Sequence, residues 1–242
     1  MTPRFHVGTS GFGYREWKGK FYPKDLPAED YLRYYAERFD ATEVNSSFYR
    51  MPRAPVLRAW ARQTPQGFSF SFKAPASITH LRRLLAAEAP LRAFLDATAS
   101  VGPKLGVLVF QLPPGFKKDL PRLEEFLRLL PRRRRCAFEF RHRSWFSDDV
   151  LEALKARGVA LCVNDADVEG CPLAATADWG VAKLRRVRYS AASLRSWAAK
   201  LARQPWKEAY VFFKHEETAS GPKLATRFRS LVPQVALTAA ER

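Results

Sequence analysis

The stretch FSFSFK, residues 68–73, alternates aromatic rings with small hydroxyls and ends on an ammonium. A period of two is that of a β-strand, whose successive side chains point to opposite faces. Phe68, Phe70 and Phe72 therefore share one face, and Ser69, Ser71 and Lys73 share the other. A second stretch, CAFEFR at 136–141, sets Phe138 and Phe140 against Ala137, Glu139 and Arg141 in the same way. In both, the polar face grows more polar toward the C-terminal end. A barrel of parallel strands inside a ring of helices accounts for this, since the rings belong beneath the helices and the polar set faces the interior and its mouth.

Six more strand candidates read outward from these two: FHVGTS (5–10), TEVNS (42–46), LGVLVFQ (105–111), ALCVND (160–165), VAKLR (181–185) and AYVFFKH (209–215). Segments with helical periodicity lie between most of them, such as Leu32, Tyr35, Ala36 and Phe39, or Leu123, Phe126, Leu127 and Leu130. Asp119 and Ser147 stand where helix N-caps belong, and Gly158 stands just beyond a helix end. The sixth connection, DADVEGCPLAATADW, shows no helical pattern. A chain of 242 residues has the length of one such barrel. The expected fold is α/β, a single TIM-like (β/α)8 barrel over residues 1–242, irregular around the sixth βα unit. A doubly wound sheet would carry GxGxxG after its first strand, whereas GTSGFG reverses that spacing.

Forty-one Lys and Arg against 24 Asp and Glu give a net charge of +17, which favours anionic company. Nucleic acid is one such partner, yet the run Arg132–Arg135 precedes a strand and so falls on the face opposite the expected site. Cys136, Cys162 and Cys171 form no CxxC pair and read as reduced residues. No apolar run reaches the length of a membrane span and the first residues lack a secretory signal, so the expectation is a cytoplasmic protein with no membrane partner.

Strand parity turns Glu43 and Asn45 inward beside Val44, and Gln111 inward beside Phe110. Lys183 shares a face with Val181 and Arg185. In the last strand the same reasoning sends Tyr210 and Phe212 outward and leaves Phe213 and His215 inside. His6, low in the first strand, reads as a hydrogen-bonded core residue. Two inward carboxylates, Glu43 and Glu139, can divide acid and base roles, and His215 is the best-placed histidine for proton transfer. Lys73 and Arg141 suit an anion, while Ser10, Asn45, Tyr49, Gln111, Asn164, Asp165 and Lys183 complete a set of substrate-binding candidates. The loop GFGYREWKGKFYP, residues 11–23, offers Trp17, Phe21 and Tyr22 either as rings that stack on a ligand or as a plug of the mouth. No cofactor motif is evident, and a divalent metal on Glu43, Glu139, Asp165 and His215 lacks a recognisable ligand spacing.

Six segments, GTSGFGYREWKGKFYP, FDATEVNSSFYRMP, FSFKAPASITH, LGVLVFQLPPGF, AFEFRHRSW and VFFKHE, taken in order, resemble the YecE-like family of uncharacterised proteins, domain of unknown function 72. They span residues 8 to 216, and the resemblance implies a TIM-barrel-like fold. One segment departs from the pattern: KLRR, Lys183 to Arg186, stands where the family often shows an Arg-Leu-His-Gly type sequence. The leading expectation is an enzyme of isomerase or hydrolase type. It would act on a small anionic or polyhydroxy compound, sugar- or phosphate-like, at the C-terminal mouth. The alternatives are a nucleic-acid-processing or nucleic-acid-binding protein and a small-ligand binder without turnover.

Overall fold

Each strand pairs in parallel with the next in the chain, and the last returns to the first, closing a barrel in the order β1 to β8. The strands are β1 (Arg4–Ser10), β2 (Ala41–Val44), β3 (Ser69–Lys73), β4 (Leu105–Gln111), β5 (Arg135–Glu139), β6 (Ala160–Asn164), β7 (Trp179–Leu184) and β8 (Glu208–Phe213). The computed structural model describes residues 2–214 and 219–232. Outside the strands lie α1 (Tyr31–Ala36), α2 (Ala54–Gln63), α3 (Glu88–Thr98), α4 (Leu120–Leu129), α5 (Asp148–Ala156), α6 (Ala191–Ala202) and α7 (Ser220–Arg229). The connection from β6 to β7 has no helix, as its lack of periodicity indicated.

The phenylalanine faces meet the helices. Phe110 of β4 lies edge-on to Phe126 of α4 at 5.3 Å, and Phe70 of β3 stacks with Trp60 of α2 at 6.2 Å. The opposite faces fill the interior with Ala41, Val107, Val109, Ala137, Cys162 and Val181 among others. A closed parallel sheet must bury both faces, so the interior is a packed core below and polar only where the strands end. Asp119 caps α4, its side chain accepting the Arg122 N–H at 3.2 Å. Ser147 occupies the expected N-cap position of α5, but its hydroxyl donates to Asp149 at 2.6 Å instead of accepting from the helix. Gly158, at φ 63°, ends that helix in the left-handed region glycine tolerates.

Strand β8 reverses the parity expected of it. Tyr210 and Phe212 belong to the interior cluster, whereas Phe213 packs outward against Phe228 of α7 at 5.6 Å. Both faces of this strand are aromatic, so alternation carried no information about direction. At the barrel floor, formed by the first residues of the strands, His6 stacks on Tyr210 at 4.5 Å. His6 is buried, but neither ring nitrogen makes a hydrogen bond among the described residues, contrary to the expectation of a bonded core histidine.

Candidate functional site

At the other end, register sets the polar strand ends at one level. Ser10 lies opposite Glu43, Glu43 opposite Ser71, Gln111 opposite Glu139, and Asn164 opposite Lys183. The Lys183 ammonium sits between the two glutamates, 2.5 Å from Glu43 Oε1 and 2.6 Å from Glu139 Oε2. One cation thus ties β7 to β2 and to β5, neither of which is its neighbour. Burial opposes its charge, but Glu139 and Glu43 outweigh burial and raise its pKa, keeping it an ammonium.

Glu139 is completely buried and fully engaged. Its Oε1 accepts from Gln111 Nε2 at 2.7 Å, Asn164 Nδ2 at 3.0 Å and Arg141 Nη2 at 3.1 Å, with Arg185 Nη1 at 3.6 Å. Burial favours the neutral acid, but Lys183 first and Arg141 next reverse this and hold the carboxyl far below its ordinary range. Glu139 is therefore a fixed anion and not a proton donor. Glu43 differs. Its Oε2 accepts the Ser10 hydroxyl at 2.8 Å, whereas Oε1 touches Lys183 but has no hydrogen bond of proper direction among the described residues.

Asp167, in the helix-free connection after β6, completes the network and was not foreseen. Its Oδ2 meets Arg185 Nη1 at 2.5 Å, Asn164 Nδ2 at 2.5 Å and Arg141 Nη2 at 3.1 Å. Asn164 Oδ1 in turn accepts the backbone N–H groups of residues 166 and 167, both at 3.0 Å, which fixes this loop. The surplus of acidic residues in DADVEG was the available signal, but no periodicity places a loop side chain. Asp165 does not reach the site as expected. It accepts the Arg185 N–H at 2.8 Å and the Tyr189 hydroxyl at 2.6 Å, and so anchors the β7 exit.

These groups surround a cavity of about 490 Å³ lined by Ser10, Tyr14, Glu43, Asn45, Ser46, Tyr49, Lys73, Gln111, Arg141, Lys183, Arg185 and Lys214. Of the expected site residues, Ser10, Glu43, Asn45, Tyr49, Lys73, Gln111, Arg141 and Lys183 are brought together here. Tyr49 stands at the rim with 87% of its surface exposed. Glu139 and Asn164 lie beneath the lining as its supports. Lys214, the residue just after β8, lines the cavity, as the corrected parity requires, and His215 lies outside the described residues. Trp17 does not face the cavity. It is buried against Phe21 and Tyr14, and the neighbouring Tyr22 stacks on Tyr31 at 4.0 Å, so these two rings join the main core beside α1. A divalent metal has no place between Glu43 and Glu139, because Lys183 occupies it. Arg132–Arg134 form an exposed turn before β5, at the opposite end of the barrel.

The three cysteines are free thiols, and burial raises each of their pKa values. Among the described residues no helix is long and apolar enough to cross a membrane.

The family described as "Protein of unknown function DUF72" matches residues 6–241, and the chain belongs to it. The UPF0759 protein YecE of Escherichia coli K12 is 33% identical over 129 residues, 53% of this chain. That match spans about half, 47%, of the relative's length. A DUF72 family protein of Thermotoga maritima superposes with a TM-score of 0.85 at 25% identity, covering 94% of this chain and 98% of the other. A GH5_18 protein of Bifidobacterium longum, solved in complex with Manb1-4GlcNAc, gives a TM-score of 0.54 at 11% identity, covering 96% and 80% of the two chains, and shares the fold.

Proposed function

We propose that the protein is an enzyme that performs acid–base chemistry on a small anionic, polyhydroxylated compound at the C-terminal mouth of the barrel. Glu43 is the proton-transferring group. The observation that carries this reading is its carboxylate: 1% exposed, steadied by Ser10 on one oxygen, ion-paired with Lys183 at 2.5 Å on the other, and on the wall of a 490 Å³ cavity. A carboxylate buried at a cavity wall is costly to keep there unless a ligand uses it.

The other charges favour an anion. Arg141 and Arg185 are spent only in part, since their bonds to Glu139 and Asp167 use Nε and Nη2 of one and Nη1 of the other. A guanidinium has five N–H donors, and those remaining suit a phosphate or carboxylate. Ser10, Asn45, Ser46 and Tyr49 add hydroxyl and amide groups that suit a polyhydroxy chain.

An isomerase-type proton transfer fits better than glycoside hydrolysis by two carboxylates. Hydrolysis by that route needs two carboxyl groups facing the sugar, and Glu139 is fully buried beneath the cavity lining. The likeness to the GH5_18 barrel supports the architecture and carries no weight for its sugar chemistry.

The test is a panel of sugar phosphates and sugar acids, followed by NMR for turnover and by thermal shift for binding. A compound that is turned over by the wild type and by Glu43→Gln at the same rate would refute the role of Glu43. If no member of the panel binds, the site reading fails.

A further inference from the structure

Lys73 lines the cavity and, unlike Lys183, is not clamped by the two glutamates of the mouth. It ends β3, and its backbone carbonyl accepts the Ser47 hydroxyl at 2.7 Å, so the side chain starts from a fixed point. Its Nζ lies 3.9 Å from the centroid of the Phe48 ring and lines the cavity. Among the described residues it forms no ion pair. Lys183, four strands away around the ring on β7, is by contrast clamped between two carboxylates. The glutamates thus have Lys183 as their direct partner, and the Lys73 ammonium has an aromatic face beside it, with Lys183 and Arg141 as well as Glu139 and Glu43 acting on it through space.

From this geometry we infer that Lys73 is a covalent nucleophile, which forms a Schiff base with the aldehyde or ketone carbonyl of the anionic compound held in the cavity. This rests on the acid–base reading of the mouth and narrows its substrate class to carbonyl compounds. The ammonium first gives up a proton, for which the Glu43 carboxylate on the wall of the same cavity is the acceptor type. The free amine then adds its lone pair to the carbonyl carbon, the π pair moves to oxygen, and a proton passes from the nitrogen to that oxygen. Loss of the resulting hydroxyl as water, with one further proton, leaves a protonated imine; ammonium and carbonyl have become iminium and water. The iminium withdraws electrons from the adjacent carbon, whose proton a carboxylate can then remove. Burial first, and the Lys183 ammonium second, lower the pKa of Lys73 to about 8, which supplies free amine near neutral pH. Lys183 moves the other way and cannot compete.

Borohydride reduces an imine to a stable secondary amine, so the step is tested by trapping. The protein is incubated with dihydroxyacetone phosphate and sodium cyanoborohydride, with dihydroxyacetone as the uncharged comparison, and the labelled peptide is found by mass spectrometry. The expected result is one label per chain on Lys73, faster with the phosphorylated probe. Labelling at low pH rises about tenfold per pH unit and levels off above about pH 8. Lys73→Arg keeps the charge and loses the label, and its unchanged thermal unfolding shows that it folds. Labelling spread evenly over exposed lysines, or undiminished in Lys73→Arg, overturns the proposal. If the wild type shows a thermal shift with the phosphorylated probe yet no Lys73 label, the covalent step fails and the anion site stands. If the probe neither shifts nor labels the protein, both readings fall for this substrate class.

Discussion

The floor and the mouth of the barrel are both built around a glutamate. At the floor Glu208 meets Arg135 at 2.9 Å and His6 at 3.5 Å, and its side chain is 26% exposed. At the mouth Glu139 has no exposure at all, and it takes Lys183, Arg141, Gln111 and Asn164 to satisfy it. Water does for the floor what protein groups must do for the mouth. A solvated ion pair contributes little, whereas a fully buried one is expensive to assemble and more expensive to break. That expense is justified where pre-set charges face a ligand, and the cavity lies at that end.

This contrast breaks most readily at Glu43 and Glu208. Glu43→Gln is expected to lower turnover by about 10²- to 10⁴-fold while leaving the fold intact. Glu208→Gln should leave turnover within a small factor of wild type; comparable losses in the two variants would abolish the distinction between the ends. Stability gives the next test. Lys183→Met strands two buried carboxylates and should cost about 3–5 kcal/mol in urea unfolding, against about 0–1 kcal/mol for Arg135→Met at the floor.

Acid separates the ends in a third way. Contact with His6 first, and then the Arg135 charge, bring the Glu208 carboxyl from 4.5 down to about 2, against the opposing effect of burial. Its pKa is depressed in the folded state, so its contribution to stability is complete above pH 4.5 and disappears as pH falls toward 2. Glu208→Gln should flatten the stability curve across that window and, at pH 7 to 8, lower stability while leaving its slope with pH unchanged. Tyr210→Phe is expected to have a small effect as well. It removes a 3.3 Å hydrogen bond to a partly hydrated carboxylate, worth about 0.5–1.5 kcal/mol. Ser10→Ala at the mouth, which deprives a buried Glu43 oxygen of its donor, should cost more, about 1–3 kcal/mol.

Legibility in the sequence followed the same physical divide. FSFSFK and CAFEFR announced their inward faces because each alternates, and Lys73, Glu139 and Arg141 stand where parity put them. EAYVFF does not alternate, so the direction of β8 was misread and with it the choice between Lys214 and His215. The helix-free sixth connection was evident from its composition. Asp167 within it was not, because a loop side chain is placed by hydrogen bonds such as those of Asn164 and not by a repeat. Trp17 shows a further limit: a ring in a loop has the same sequence signature whether it covers a ligand or packs on the Tyr22–Tyr31 stack.

Lys183 joins strands that lie apart around the ring, and this fixes the bore of the opening. With β2 and β5 both leashed to one nitrogen on β7, the rim cannot flatten or widen without parting opposite charges in a dry place. An incoming molecule thus meets an aperture whose size is decided beforehand, and any gating must be done by the loops above it.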